Sequence, residues 1–104
     1  RLKTKWLKML RSGEYKQGQG ALHRKVDDGY CCIGVLCLAG GRRITTVAES
    51  DSNFGKEKNI QNYDWARRII DVGGEDYSYL EDLISMNDHG RSFKQIARWI
   101  ETHL

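Results

Sequence analysis

The first apolar pattern lies at the start of the chain. Leu2, Trp6 and Leu10 recur at every fourth position, and basic residues occupy much of the remaining surface of this stretch. That spacing predicts an amphipathic helix over residues 2–12. Gly13 follows it, and glycine is the residue most often found just beyond the end of a helix.

Three further helices are predicted in the second half of the chain by apolar spacing together with capping residues. The first would start at Asn62 and end at the glycines 73–74. The second and third would start at Ser78 and Ser92, each followed three positions later by Glu or Gln, as in a capping box. The residues expected to face inward are Trp65, Ile69, Val72, Leu80, Leu83, Ile84, Asn87, Phe93, Ile96, Ala97, Ile100 and Leu104.

An apolar segment without any charged residue, 31–39, lies in the middle of the chain and ends at a pair of glycines. Its periodicity does not separate a buried strand from a buried helix, but its length and the glycine pair favour a central buried helix. Cys31, Cys32 and Cys37 all lie in it. Adjacent cysteines form a strained disulfide and the number is odd, so we expect three buried, reduced thiols and a cytoplasmic protein.

The remaining segments predict a short hairpin and loops. Residues 22–26 favour a strand, 27–29 a turn, and Tyr30 the start of a return strand. Residues 42–61 are polar and predict a long loop with at most a brief strand at 44–47. The expected fold class is therefore α+β, mainly α: a small single domain over residues 1–104, with about four helices and a short β-hairpin.

Charge is spread unevenly along the chain. The formal net charge is +3 over 104 residues. Residues 1–26 carry eight basic residues and one acidic residue, whereas residues 27–104 carry nine basic and thirteen acidic residues. This layout could attract an anionic partner to the N-terminal third, although basic and acidic segments also neutralise each other across a fold. No apolar run approaches the roughly 18 residues of a membrane span, so no membrane partner is expected.

A glycine-rich loop within the basic third is the main candidate for binding. Its backbone N–H groups and the neighbouring cations could face a phosphate or an acidic protein surface. The loop lacks the Gly-Lys-Ser/Thr ending of a phosphate-binding loop, so the pattern is not specific. The predicted binding residues are Lys8, Arg11, Lys16, Gln17, Gln19, Arg24 and Lys25.

The chain offers little support for catalysis or metal binding. The cysteines lack the Cys-x-x-Cys spacing of metal sites, and an apolar setting disfavours a reactive thiolate. His89 follows Asp88, but adjacent residues in a turn do not normally orient each other as a catalytic pair. We expect no cofactor and no metal, and a binding protein rather than an enzyme. A small enzyme that depends on Cys32 or His89 is kept as an alternative.

Four segments resemble a family of small uncharacterised bacteriophage and prophage proteins. They are residues 12–22, the block Tyr-Cys-Cys-Ile-Gly-Val-Leu-Cys at 30–37, Met-Asn-Asp at 86–88, and 92–101. The 30–37 block is the most specific of them, and residues 42–61 match nothing. The resemblance implies a viral protein that works in the host cytoplasm. It implies no activity and no catalytic residues.

These observations predict a phage-encoded accessory protein that binds a host factor through its basic N-terminal surface, with counter-defence as a role typical of such proteins. Nucleic-acid binding by the same basic segment is the first alternative. The sequence leaves open whether the ligand is a protein, a nucleic acid or a nucleotide, and it leaves open the oligomeric state. It begins at Arg1 without a methionine, so residues before Arg1 are also left open.

Overall fold

The computed structural model describes residues 1–71 and 78–104, apart from the side chains of residues 52–54. These ranges contain five α-helices, a two-stranded antiparallel hairpin and one 3-10 helix. The helices are α1 (Leu2–Arg11), α2 (Cys32–Ala39), α3 (Ile60–Ile70), α4 (Tyr79–Asp88) and α5 (Phe93–His103); the strands are β1 (His23–Arg24) and β2 (Gly29–Tyr30); the 3-10 helix is Ser52–Asn59.

The predicted class, a mainly helical protein with a short hairpin, is confirmed, but the predicted number of about four helices is wrong. The fifth helix is α2, which the cysteine segment forms in addition to the four helices predicted on either side of it. The length of this segment and the glycine pair after it favour a helix. Its periodicity does not distinguish a helix from a strand, because a segment that is apolar on all sides has no amphipathic stripe.

Helix α2 lies at the centre of the fold. It contacts α1, α3, α4 and strand β2, and every residue of it except Leu38 is buried. Cys31 precedes it as the N-cap, with Sγ accepting a hydrogen bond from the Gly34 N–H at 3.4 Å. A Cβ atom at Gly34 would lie 2.2 Å from the carbonyl oxygen of Leu22, so the start of the hairpin lies directly against the helix backbone.

One hydrophobic core surrounds α2. The predicted inward faces of α4 and α5 are largely confirmed, since most of their expected residues are buried and Ile84 is partly buried. Leu104 is the exception, with 36% of its surface exposed at the end of α5. The fully buried side chains of the core include Leu22, Ile33, Val35, Leu36, Leu80, Leu83, Ile96 and Ile100.

Helix α3 differs most from its prediction. It begins at Ile60 rather than at Asn62, because the 3-10 helix runs directly into it and no side-chain cap is made. Asn62 is buried inside the helix, on the same face as Ala66 and Ile70. Ile69 was expected to face inward but is 42% exposed, and Trp65 is half-buried. Residues Val72, Gly73 and Gly74, which were expected to complete and end this helix, lie outside the described residues.

The hairpin has the position predicted for it but shorter strands. His23 pairs with Tyr30 and Arg24 with Gly29, and Asp28 occupies the turn with a φ of 55°. Two isolated bridges extend the pairing, from Gln17 to Tyr30 and from Arg24 to Val47. The brief strand anticipated at 44–47 is therefore reduced to a single bridge. No helix within the described ranges has the length and apolar character that crossing a membrane requires.

Candidate binding site

The glycine loop at residues 16–20 is tied down from inside the molecule. Gly18 donates its N–H to the carbonyl of Tyr30 at 2.7 Å, and Gly20 donates its N–H to a carboxylate oxygen of Asp88 at 3.0 Å. The carbonyl of Gly18 accepts from the side-chain amide of Asn87 at 2.8 Å. These two N–H groups are therefore engaged within the fold and do not face a ligand, whereas an anion contact through the rest of the loop stays a prediction.

Gln17 is also held by the fold. Its amide nitrogen donates to Oδ1 of Asn87 at 3.0 Å and to the carbonyl of Arg91 at 2.6 Å. These bonds connect the loop to the turn between α4 and α5. A contact from Gln17 to a partner stays a prediction, and the structure gives this side chain an internal role in addition.

The other predicted binding residues are spread over several surfaces. Arg24 donates to the carbonyl of Gln19 at 2.9 Å and lies 3.3 Å from the Asp27 carboxylate. The other lysines and Gln19 are exposed at separate positions on α1, the glycine loop and the hairpin: Lys8, Lys16, Gln19 and Lys25. Arg11 lies at the end of α1 beside α5. The structure therefore does not bring these seven residues together into one site.

Arg11 instead joins a cluster of cations contributed by the other end of the chain. A groove of about 710 Å³ runs along α5 where that helix packs beside α1. We call this surface the basic groove and define it by its four cations: Arg11, Arg91, Lys94 and Arg98. Glu101 is the one acidic residue among its described lining residues.

The acidic residue of the groove, Glu101, is already paired with a cation. Both carboxylate oxygens of Glu101 accept hydrogen bonds from the guanidinium of Arg11, at 2.5 and 3.3 Å. The hydrogen bond and charge of Arg11 lower the pKa of Glu101, and the charges of Lys3 and Arg98 lower it further. Arg91, Lys94 and Arg98 thus retain a positive field that the Glu101 carboxylate does not cancel.

Aromatic rings form one wall of the same groove. Trp99 and His103 are stacked, with ring centroids 4.2 Å apart and planes 12° apart. Tyr79 packs against Trp99 in a T-shaped arrangement, with ring centroids 5.6 Å apart. Rings and cations together give the groove both an apolar and an electrostatic means of contact with a partner.

Sequence reasoning missed Arg91, Lys94 and Arg98. They recur at i, i+3 and i+7 before and along α5, which places Lys94 and Arg98 on the face opposite the buried side chains. The apolar spacing of α5 predicts its buried face, whereas the basic residues on its polar face have a spacing of their own. The spacing of Arg91, Lys94 and Arg98 could have predicted a basic helix face. The packing of α5 against α1, which adds Arg11 to that face, is a long-range contact that spacing does not predict.

The cysteines have the environment of structural residues. All three are buried and unbridged, which confirms the expectation of interior thiols. Burial raises the pKa of Cys31 to about 12 and that of Cys37 to about 11, and it raises the pKa of Cys32 well above its ordinary value. A buried neutral thiol is a poor nucleophile, so this environment weighs against the cysteine-dependent enzyme.

The histidines have structural contacts as well. Nδ1 of His89 lies 2.7 Å from the carbonyl of Ser85 at the end of α4, while Asp88 bonds Gly20 instead. His23 lies between Asp28 and Thr46, with ring nitrogens 2.7 and 2.8 Å from their side-chain oxygens. That order resembles an acid–histidine–hydroxyl chain, but the same contacts tie the hairpin turn to the 44–47 segment and are accounted for by that role.

No three His, Cys, Asp or Glu side chains are grouped to hold a metal ion in residues 1–71 and 78–104. A family model described as "Domain of unknown function (DUF8296)" matches residues 1–73 of the chain. No curated protein matches the chain. No solved structure matches it either.

Proposed function

We propose that this chain, which belongs to the DUF8296 family, is a non-catalytic binding protein whose basic groove contacts an acidic surface of a partner protein. The observation that carries the proposal is the excess of cations in the groove. Four basic side chains line it, and its one described acid is paired with Arg11. A partner with exposed carboxylates would meet Arg91, Lys94 and Arg98 without displacing an internal ion pair.

A protein partner agrees with the charge of this chain better than a nucleic acid does. Nucleic-acid-binding domains usually present a long basic stripe and a strongly positive net charge. Here the net charge is +3, and residues 27–104 contain more acidic than basic residues. A small basic groove interrupted by Glu101 suits a local acidic surface rather than a continuous polyanion.

The resemblance to phage proteins suggests which partner to look for. We propose that the partner is a host factor, with counter-defence as the role, and that binding occurs in the host cytoplasm. Three buried, unbridged thiols support a reducing compartment. Lys8, Lys16, Gln19 and Lys25 remain predicted contacts outside the groove.

Site-specific photo-crosslinking tests the location of the contact. A photoreactive residue would replace Lys94 in the groove or, as a matched control, the exposed Lys56 of the 3-10 helix. Cross-linked host proteins would then be identified by mass spectrometry. The proposal expects one acidic protein to be captured from position 94 and not from position 56. Equal capture from both positions would contradict it.

Nucleic-acid binding is the second candidate, and the stacked rings of Trp99 and His103 favour it. Rings beside cations are the arrangement on which single-stranded bases stack. An oligonucleotide titrated at several salt concentrations would decide between the two, because phosphate contacts release counterions and make affinity fall steeply with salt. If the oligonucleotide binds tightly, with an affinity that falls steeply with salt and is weakened by Trp99→Ala, the partner is a nucleic acid and the proposal of a protein partner is wrong.

A further inference from the structure

A second cleft lies away from the basic groove and shares no lining residue with it. It has a volume of about 680 Å³ and lies between the end of α2 and the start of α3. Residues 40–43, Thr45 and 57–62 line it. The sequence pattern predicts a long loop over most of this stretch and predicts no binding residue in it.

Arg42 is held in a fixed orientation in this cleft. Its Nε donates to Oδ1 of Asn62 at 2.8 Å, and its guanidinium lies 5.1 Å from the ring centroid of Trp65. Neither Nη nitrogen has a hydrogen-bond partner among the described residues. The Nε edge of the guanidinium is therefore oriented by Asn62, and one of its faces lies over Trp65. The edge that carries the two Nη groups has no protein partner among the described residues and can bind a ligand. That edge suits bidentate contact with an oxyanion.

The residues that hold Arg42 are themselves fixed by packing. A Cβ atom at Gly40 would lie 2.5 Å from the indole ring of Trp65, so this ring packs directly on the backbone at the end of α2. The cation and the ring therefore connect the segment that follows α2 to helix α3.

Two buried asparagines connect the 42–45 segment to the 3-10 helix and to α3. Asn59 accepts from the N–H of Thr45 and donates to its carbonyl, both at 2.9 Å. Asn62 donates to the carbonyl of Arg43 at 2.9 Å in addition to its bond with Arg42. Asn59 and Asn62 are 2% and 7% exposed. A buried amide is destabilising unless its polar atoms form hydrogen bonds, and both of these amides bond to the 42–45 segment. The segment is therefore fixed against the 3-10 helix and α3, and Arg42 and Arg43 are positioned with it.

The charges in the cleft are mainly positive. Lys58 is paired with Asp51 at 2.7 Å, so it contributes little net charge. Arg43 is exposed, and its side chain has no ion pair within the described parts of the chain. Glu57 is the acid among the described lining residues. Residues 60–62, the first residues of α3, line the same cleft.

We infer that this cleft is an oxyanion site that takes the phosphoryl group of a phosphate monoester or free phosphate. Arg42 would bind two of its oxygens through the Nη groups, and Arg43 would supply the second cation. A phosphate monoester is nearly dianionic at neutral pH and has three acceptor oxygens, whereas a carboxylate has one charge and two oxygens. This site does not depend on the proposed function of the basic groove.

Nuclear magnetic resonance of the arginine side chains tests the inference. The folded protein would be titrated at constant ionic strength with inorganic phosphate, O-phosphoserine or acetate, while the Nε–H signal of Arg42 is observed. We expect both phosphates to shift this signal with dissociation constants at least tenfold below that of acetate. The tighter of the two phosphates then identifies the source, free phosphate or a monoester.

Variants make the test specific. Arg42→Lys keeps the charge but removes the guanidinium and its Nε bond to Asn62. Since this variant has no Nε–H at position 42, its titration is followed through the backbone N–H signal of Thr45 in the cleft lining, and the dissociation constant should rise at least fivefold. Because Arg42 has structural contacts, the exposed Arg43→Gln serves as a second variant with the same expected direction. Lys56→Gln, outside the cleft lining, removes one charge as a matched control and should change nothing. Equal shifts with acetate, or equal weakening in the control, would overturn the site.

Discussion

Asn87, in the last turn of α4, accepts a hydrogen bond from the backbone N–H of Cys32 at 3.2 Å, across 55 positions of sequence. The same oxygen accepts from Gln17, and the amide nitrogen donates to the carbonyl of Gly18. Asn87 has no exposed surface. One buried side chain therefore joins the start of α2, the glycine loop and α4. The segments 12–22, 30–37 and 86–88 therefore meet at this residue, and a structural role accounts for their meeting.

Replacement of Asn87 by alanine should destabilise the fold strongly. It leaves the Cys32 N–H and the Gly18 carbonyl without their partner, and buried groups of this kind cost about 1–3 kcal/mol each. We expect the free energy of unfolding to fall by about 3 kcal/mol in urea denaturation. Ser85→Ala, an exposed change on the same helix, is the control and should cost well under 1 kcal/mol. Similar losses for both variants would contradict the central role of Asn87.

Gly34→Ala tests the close contact between α2 and the hairpin. Alanine is the better helix former by about 1 kcal/mol, so helix propensity alone predicts stabilisation. The new Cβ would lie 2.2 Å from the Leu22 carbonyl oxygen, which belongs to backbone and cannot rotate away. We therefore expect a net loss of about 2 kcal/mol in the free energy of unfolding.

Gly41→Ala provides the comparison for that experiment. Gly41 has open space around its Cβ position but a φ of +75°, so only backbone strain opposes alanine there. Its loss should be about 1 kcal/mol. A stabilised Gly34→Ala variant would show that the hairpin does not approach α2 as described.

The sequence predicted those features that depend on local pattern. The stripe Leu2–Trp6–Leu10 and the serine caps at Ser78 and Ser92 are short-range, and each gave a helix at the right place. The basic groove could not be found in this way. Its Arg11–Glu101 pair joins residues 90 positions apart, and nothing in either helix alone specifies which partner it packs against.

The start of α3 shows a second limit. Asparagine often caps the N-terminus of a helix, and Asn62 is predicted to do so on that ground. Its amide instead bonds Arg42 and Arg43, which lie about twenty positions earlier. Asn62 thus has the residue type of a local helix cap but makes tertiary hydrogen bonds instead. Those bonds depend on how the chain folds back onto α3, which the local sequence does not specify.

Stability should decrease at alkaline pH because of the buried thiols. Their pKa values are raised in the folded state, so the unfolded chain loses protons first as the pH rises. Stability is complete below the unfolded pKa of about 8.5 and falls as pH increases toward about 11, where Cys37 would ionise in the folded state. Each thiol contributes at most about 1.4 kcal/mol per pH unit in that window.

Urea denaturation between pH 8 and pH 10.5, with a reductant present, measures this slope. Cys37→Ala lowers stability at every pH because of the lost volume, but its stability should fall less steeply with pH than that of the wild-type protein. Identical slopes would mean that Cys37 does not keep its proton in the folded state. The slope is the informative quantity, because it is independent of the cavity made by the substitution.

Thiol modification tests the cysteine-dependent enzyme separately. Because the three cysteines are buried and their pKa values are raised, they should react with an aromatic disulfide reagent at pH 8 only after unfolding. Absorbance should show three reactive thiols in denaturant and reaction at least a hundredfold slower in buffer. Rapid reaction of one thiol in the folded protein would restore the cysteine hypothesis.

The basic groove is tested most directly by charge reversal against a defined acidic polymer. The variant Arg91→Glu with Lys94→Glu and Arg98→Glu reverses three of the four cations of the basic groove. As the control, Lys5→Glu with Lys56→Glu and Arg68→Glu makes the same change in net charge at exposed sites outside the groove. Titration with poly-L-glutamate should give a dissociation constant at least tenfold higher for the first variant than for the second, with unchanged melting temperatures. Equal weakening in both variants would show that net charge, rather than the groove, attracts the acidic chain.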